Sequence, residues 1–508
     1  MMPRILLAAL LAAFALTACT TPAPLPGAAL PETSSMTQTS RLTPERLYAS
    51  PSLSGTTPRG VKFSPDGTRV TYLKPRADDL ARFDLWQFDV ATGAETMLAD
   101  SALLDPEGAE LSEEEKALRE RRRIAGVRGI ADYAWGTADS ILIPAGGALF
   151  LVSLADGAAQ VRQLTETESF EYDAKVSPKG RYVSFIRDEA LHVIELSTGT
   201  ETRVSPPARP DDAVRYGVAE FVAQEEMDRF TGYWWSPDER YIAYTEVDES
   251  GVDIIPRFDI AADTVTVINQ RYPRAGRPNA RVALHVFDWQ NGASRKIASV
   301  GPDDYLARVN WAHGSLWFQT VNRDQTEIRF NRTDGLPWRI WAPFTEAQPR
   351  WVNLSNDFLP LADGSLLTTH ETDGYRHIYR RNPSNDMAQQ LTSGDWVVSE
   401  LLGFEATSET IYFTGFLDTP LERHLYAAAL SGNSPRRISP EGGNWSISLA
   451  PDAQSYVGTF SSPNQPPQVG LYRIDGTRIA WISENALNES HPYTPYLASH
   501  AVPEFGIL

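Results

Sequence analysis

Cysteine is almost missing from this 508-residue chain: Cys19 stands alone. No internal disulfide and no cysteine-based metal site can form, so the fold must rest on its apolar core. Long apolar runs are lacking too. The stretch Ile5 to Leu16 is about a dozen residues, too short to span a bilayer. Basic charge is scarce, with 46 Lys and Arg against 65 Asp and Glu and a formal net charge of -19. Removing residues 1–18, whose one charged side chain is Arg4, makes it -20. So acidic a surface argues against nucleic acid as a partner and favours solubility. The serine-hydrolase elbow Gly-x-Ser-x-Gly is also absent from all 508 residues, as is any recognisable cofactor or metal motif.

What is present begins with an export signal. Arg4 supplies the positive start, Ile5 to Leu16 the apolar segment, and Leu16-Thr17-Ala18-Cys19 small residues before a free thiol. That pattern predicts a bacterial lipoprotein cut before Cys19 and lipidated there; an ordinary secretory signal ending near Ala18 is the alternative. Thr20 after the cysteine resembles outer-membrane sorting, so the expected place is the cell envelope, lipid-anchored on the periplasmic side. Residues 19–40, rich in Pro, Thr, Ser and Ala, read as a flexible tether.

From about residue 60 to 485 one unit recurs: a β-rich run, a tight turn, an alternating strand and a second hairpin. The clear copies are Val61-Lys62-Phe63-Ser64-Pro65-Asp66-Gly67, Val176-Ser177-Pro178-Lys179-Gly180, Trp235-Ser236-Pro237-Asp238 and Ala450-Pro451-Asp452. Weaker copies centre near Ala138, His313, Ala362 and Ser408. The turn has a mechanism: Pro presets the first dihedral, Asp bonds nearby backbone, and Gly accepts a positive φ. Alternating strands running into glycine turns follow at Ala190 to Gly199, Ala283 to Gly292 and Leu425 to Gly432. The prediction is an all-β chain, an eight-bladed β-propeller of four-stranded blades with a short helical insertion. Two β-sandwiches are the alternative, but they would not repeat one turn at one place in every unit.

Successive turn centres lie 73, 40, 59, 76, 49, 46 and 43 residues apart, so three intervals must hold insertions. The first contains Pro106 to Ile124, a charged helix with Ser112 as N-cap, acids Glu113 to Glu115 in the first turn, arginines 119 to 123 late, and a Glu115–Arg119 pair. The second runs Glu220-Phe221-Val222-Ala223-Gln224-Glu225-Glu226-Met227-Asp228-Arg229-Phe230-Thr231-Gly232-Tyr233-Trp234-Trp235. Adjacent acids among aromatics raise each other's pKa if buried, and a cationic ligand relieves that cost. Presented from a sharp turn, Glu225 and Glu226 could hold an ammonium group; a solvated loop is the plainer reading.

The string resembles the double-glutamate motif of the dipeptidyl peptidase IV family, in the prolyl oligopeptidase group of serine peptidases. Tyr272-Pro273-Arg274-Ala275-Gly276 followed by Val282 to Phe287, and Asp373-Gly374-Tyr375-Arg376-His377-Ile378-Tyr379, are similar to other family segments. Leu42 to Lys62 and His491 to Gly506 are similar to the stretches that bracket the propeller in bacterial members. The resemblance covers about residues 41–508. It implies that Glu225 and Glu226 bind the free N-terminus of a peptide and set the register for removing a dipeptide, usually after Pro or Ala. It also implies an arginine that orients a substrate carbonyl: Arg119, Arg121, Arg122 and Arg123 are on offer, Arg123 is the first choice, and a surface ion pair is its alternative.

The family's catalytic serine, acid and histidine belong to an α/β-hydrolase domain, and no counterpart is recognisable here. His491 and His500 lie in the linker-like tail, where no catalytic nucleophile and orienting acid are recognisable around them. The expected division is therefore residues 1–18 signal, 19–40 tether, 41–58 entry segment, 59–485 propeller and 486–508 the start of a linker toward a missing hydrolase domain. On this reading the chain is the substrate-gating portion of a dipeptidyl-peptidase-IV-type serine exopeptidase, cut short and inactive alone, whose full-length form would be expected to dimerise. A stand-alone, non-catalytic propeller lipoprotein that binds peptides or envelope partners is the alternative.

Overall fold

The computed structural model describes residues 41–506, except 107, 109, 110, 112, 156, 302, 336, 337, 385, 386 and 433. The signal, the tether, Cys19 and the Ser112 cap lie outside the described residues.

Eight antiparallel sheets follow one another along the chain, each a meander of four consecutive strands. They occupy residues 59–99, 134–163, 172–203, 214–299, 304–347, 358–390, 398–437 and 444–483, and are called blades 1 to 8. Blade 1 carries one extra short parallel strand, Arg128–Gly129, and blade 4 has a split first strand. First strands of neighbouring blades touch one another, while fourth strands such as Gln160–Gln163 and Met387–Gln390 are fully exposed. The first strands therefore surround the central channel and the fourth strands form the rim. The eight-bladed propeller expected from the turn copies is the fold.

All eight predicted turn centres fall between the first and second strands of a blade. In blade 1, Ser64 Oγ donates to Asp66 Oδ1 (2.5 Å), Thr68 N–H donates to the same oxygen (3.1 Å), and Gly67 takes φ +72°. Blade 3 has Lys179 where that turn wants an acid, and a neighbour supplies one. Buried Glu239 of blade 4 accepts from Ser177 Oγ (2.5 Å), Lys179 N–H (2.6 Å) and Arg181 Nε (2.5 Å).

The hydrophobic core lies between sheets, because each thin blade buries both faces. Eight apolar clusters occur, one at each boundary. Between blades 2 and 3, for example, Leu142 and Leu149 meet Val183 and Phe185. The ring closes where Phe63, Val70 and Tyr72 of blade 1 pack on Val457, Val469 and Leu471 of blade 8. Among the described residues no strand is exchanged there, and the closure buries large apolar side chains, each worth about 1.5–3 kcal/mol. The entry and exit segments also meet: Asn485 Nδ2 donates to Ser54 O (2.8 Å).

An antiparallel meander fixes which face each connection occupies. Turns between first and second strands share one face; blade-to-blade connections and second-to-third hairpins share the other. All three insertions belong to the second face. The first, between blades 1 and 2, contains Ser101–Leu104 and the helix Glu113–Arg121. The second interrupts the first strand of blade 4 and contains the helix Phe221–Glu225. The third is a two-stranded arm, Ile254–Ile260 paired with Val265–Arg271, exposed on both sides. Numbering helices from Pro44–Tyr48 as α1 and Ser101–Leu104 as α2, the two site helices are α3 (Glu113–Arg121) and α4 (Phe221–Glu225).

Candidate functional site: a double-glutamate helix facing an arginine helix

The second insertion leaves the channel wall through a narrow neck. Val214–Tyr216 and Tyr233–Trp235 both pair with Tyr241–Asp248, and the residues between them loop out. Gly217 N–H donates to Thr245 O (2.8 Å), and Thr245 N–H donates to Gly232 O (2.9 Å). A Cβ on Gly232 would stand 2.4 Å from backbone atoms of Gly217 and Val218. Only glycine lets the two legs approach so closely.

Within the loop the glutamates sit on a short helix, not on the sharp turn expected. Glu220 is its N-cap, and its carboxylate accepts from Ala223 N–H (2.6 Å). A side-chain acceptor at that position satisfies a donor the first turn leaves open. Arg229 closes the loop: its N–H donates to Ala223 O (2.9 Å), its Nη1 to Thr231 O (2.8 Å), and its Nη2 lies 3.5 Å from Glu220 Oε1. Glu220 is 4% exposed and Arg229 5%. Burial pushes the Glu220 carboxyl up even with Arg229 beside it.

Glu225 ends α4 and Glu226 caps it; both are exposed. The burial on which their expected cost depended is therefore not met, and the buried acid of this insertion is Glu220. Glu225 Oε1 accepts from Arg121 Nε (2.9 Å). Glu226 makes no side-chain hydrogen bond among the described residues.

The arginine helix approaches from the first insertion, and its four arginines part company. Arg119 pairs with Glu115 (2.6 Å), as the i,i+4 spacing predicts, and donates to Val127 O (2.9 Å). Arg121 reaches α4, donating also to Gln224 Oε1 (3.0 Å) and lying 5.5 Å from the Phe221 ring centroid. Arg122 pairs with Asp132 (3.3 Å) and lies over Phe230. Arg123 has φ +57°, with its N–H bonded to Glu120 O and Ile124 N–H bonded to Arg119 O. That is the left-handed helix ending usually given to glycine, at a cost of about 1–2 kcal/mol for an arginine. It turns Arg123 off the helix, exposed and without a side-chain hydrogen bond among the described residues. A cleft of about 500 Å³ opens between α3, α4 and the arm, walled by Arg121, Arg123, Glu225, Arg257 and Gln270.

Residues 144–467, more than half of the chain, match the family described as the dipeptidyl peptidase IV (DPP IV) N-terminal region. The chain belongs to that family. Among dipeptidyl peptidase IV relatives, human dipeptidyl peptidase 8 is 25% identical over 460 residues, covering 72% of this chain and 51% of that protein. A probable dipeptidyl-aminopeptidase B of Emericella nidulans is 28% identical over 369 residues, covering 64% and 39%. The chain thus spans about half the length of the human relative. The crystal structure of Porphyromonas gingivalis dipeptidyl peptidase 4 superposes with a TM-score of 0.71 at 21% identity, over 86% of this chain and 61% of that one. A putative dipeptidyl aminopeptidase IV from Bacteroides ovatus gives 0.63 at 21%, over 84% and 59%. At that identity both likenesses speak for the fold.

Of the residues singled out from sequence, Glu225 and Arg121 are brought into contact, Arg123 lines the same cleft, and Glu226 caps the helix next to Glu225. His491 Nδ1 accepts from Tyr493 N–H (3.2 Å), and His500 Nδ1 bonds the Tyr493 hydroxyl (2.7 Å). The arm residues Arg257 and Gln270 were not anticipated, since they come from a hairpin with no buried face to mark it.

Proposed function

We propose that this propeller selects substrates for a serine exopeptidase that removes N-terminal dipeptides of the X-Pro or X-Ala kind. Glu225 and Glu226 receive the peptide's α-ammonium, and Arg123 takes a substrate carbonyl. The carrying observation is the pair of exposed carboxylates at the end of α4, on the insertion face. Glu225 is paired with Arg121, whereas Glu226 has no ion-pair partner among the described residues. The stapled neck supports a fixed position for both. Acyl transfer would come from a hydrolase domain, as the family resemblance implies.

The test is a four-way comparison in the enzyme carrying such a domain: wild type and Glu225→Gln/Glu226→Gln, each with free and N-acetylated substrate. A hydrogen bond to a charged group contributes about 1.5–3 kcal/mol, so acetylation should cost the wild type about ten- to a hundredfold in kcat/KM. It should cost the double variant little more. Strictly additive losses would show that the glutamates do not touch the amine. We further propose that Cys19 carries a lipid anchor in the envelope. Cys19→Ala should abolish labelling by a fatty-acid probe, and surviving label would remove the anchor.

A further inference from the structure

The chain has only six lysines, and two occupy equivalent places in the repeat: Lys62 and Lys175, each two residues before the turn serine of its blade. Each sits on the first strand of an odd blade and grips the next blade in the same way. Lys62 Nζ donates to Tyr133 O and lies 4.4 Å from that ring's centroid. Lys175 Nζ donates to Tyr233 O (2.9 Å) and lies 3.6 Å from that ring. Two residues on, Trp135 Nε1 donates to Thr71 Oγ1 (2.8 Å) and Trp235 Nε1 to Ser184 Oγ (2.9 Å). No other blade carries a lysine on its first strand.

What distinguishes these two boundaries is that each receives the returning leg of an insertion. Behind α3 the chain comes back through Asp132, whose carboxylate meets Lys62 (3.4 Å) and Arg122 (3.3 Å). Behind α4 it comes back through Thr231, whose hydroxyl bonds Lys175 and donates to Asp173 Oδ2 (2.7 Å). Asp173 in turn pairs with Lys175 (3.2 Å). The two clamped insertions then meet at Arg121 and Glu225.

We propose that Lys175 and Lys62 are positioning residues for the site, Lys175 fixing the double-glutamate segment and Lys62 the arginine helix. A lysine suits this task because one ammonium offers three donors and a charge to a carbonyl, a carboxylate and an aromatic face together. Its second arm below rests on Glu225 and Glu226 binding the peptide amine; its first does not.

In the first arm, hydrogen–deuterium exchange is followed in Lys175→Met and Lys62→Met. Exchange should rise in residues 218–233 for the first variant and in 113–133 for the second, with the other blades unchanged. Unchanged exchange in those segments, or a uniform rise over all blades, overturns the proposal. Should either methionine variant fail to fold, Lys175→Gln and Lys62→Gln keep a neutral donor and are read the same way. In the second arm, Ala-Pro-Ala and its N-acetyl form are titrated by NMR. Lys175→Met should lose most of the wild type's preference for the free amine; a retained preference overturns the positioning role. A wild type with no preference would instead refute amine binding, leaving the exchange arm to decide the clamps.

Discussion

The buried pair of Glu220 and Arg229 permits a quantitative test of how the insertion is held. Their contact is poor for an ion pair: Nη2 and Oε1 are 3.5 Å apart, and Arg229 Nε and Nη2 are buried without a hydrogen bond. Burial pushes the Glu220 carboxyl up and the Arg229 guanidinium down, so desolvation outweighs their attraction. Arg229→Met leaves Glu220 as an uncompensated buried anion and should cost about 3–5 kcal/mol. Glu220→Gln keeps the acceptor for Ala223 N–H but strands the guanidinium, with a comparable loss. The double variant contains neither buried charge and should lose less than either single one, about 1–2 kcal/mol for the missing hydrogen bonds. Denaturant titration of the four proteins, with the slope checked for constancy, gives the coupling energy. Losses that simply add, or single losses under about 1 kcal/mol, would refute the view that this pair specifies geometry at the expense of stability.

Three further outcomes follow from particular contacts. Gly232→Ala places a Cβ against the backbone of Gly217 and Val218 and should destabilise by about 1–3 kcal/mol, whereas Gly251→Ala, which meets open space, should change denaturation little. Arg121→Met removes a partly exposed ion pair worth at most about 1 kcal/mol. It should raise affinity for a free-amine peptide roughly two- to fivefold at low salt; a fall would mean that Arg121 orients Glu225 and does not compete for it. His370 is held neutral: Arg381 Nε can only donate, so His370 Nε2 accepts (3.1 Å), and burial keeps the imidazole below its ordinary range. The unfolded chain takes up that proton near pH 6.5, so stability present above that pH should decline on acidification, by up to about 1.4 kcal/mol per unit until the folded imidazole titrates. His370→Gln should flatten the decline between pH 6.5 and 5 in denaturation midpoints, and an unchanged slope would refute it.

The blade count was legible because its signal is local. A turn in which Ser64 and Asp66 satisfy each other needs nothing beyond five residues, and even the degenerate copies at His313 and Ser408 keep the spacing. Turn chemistry fails where a neighbour completes it: Lys179 looks unsuitable until Glu239 of the next blade is seen in the missing acid's place. The three insertions were legible as excess length, but their shapes were not. The arm buries neither face, so its alternation carries no burial signal.

The choice among arginines marks a second limit, and it shows why the site could be named but not assembled from sequence. Arg119 finds its partner one turn back on its own helix, a contact that spacing predicts. Arg121 finds its partner 104 residues away, which only the closing of the ring supplies. Arg123 departs from both because the helix ends on it in a left-handed conformation that the residue type itself disfavours. The lysine clamps, by contrast, could have been found by laying Val61-Lys62-Phe63-Ser64 over Ala174-Lys175-Val176-Ser177. Most side chains at the blade boundaries are apolar and tolerate exchange of one for another. Charged contacts cross other boundaries as well, such as His370 with Glu346 between blades 5 and 6, but the first-strand lysine held by the next blade's tyrosine recurs at the two boundaries where an insertion must return to the ring. If the blades needed such clamps for their own stability, all eight boundaries would carry them; the concentration at these two ties the clamps to what the insertions hold.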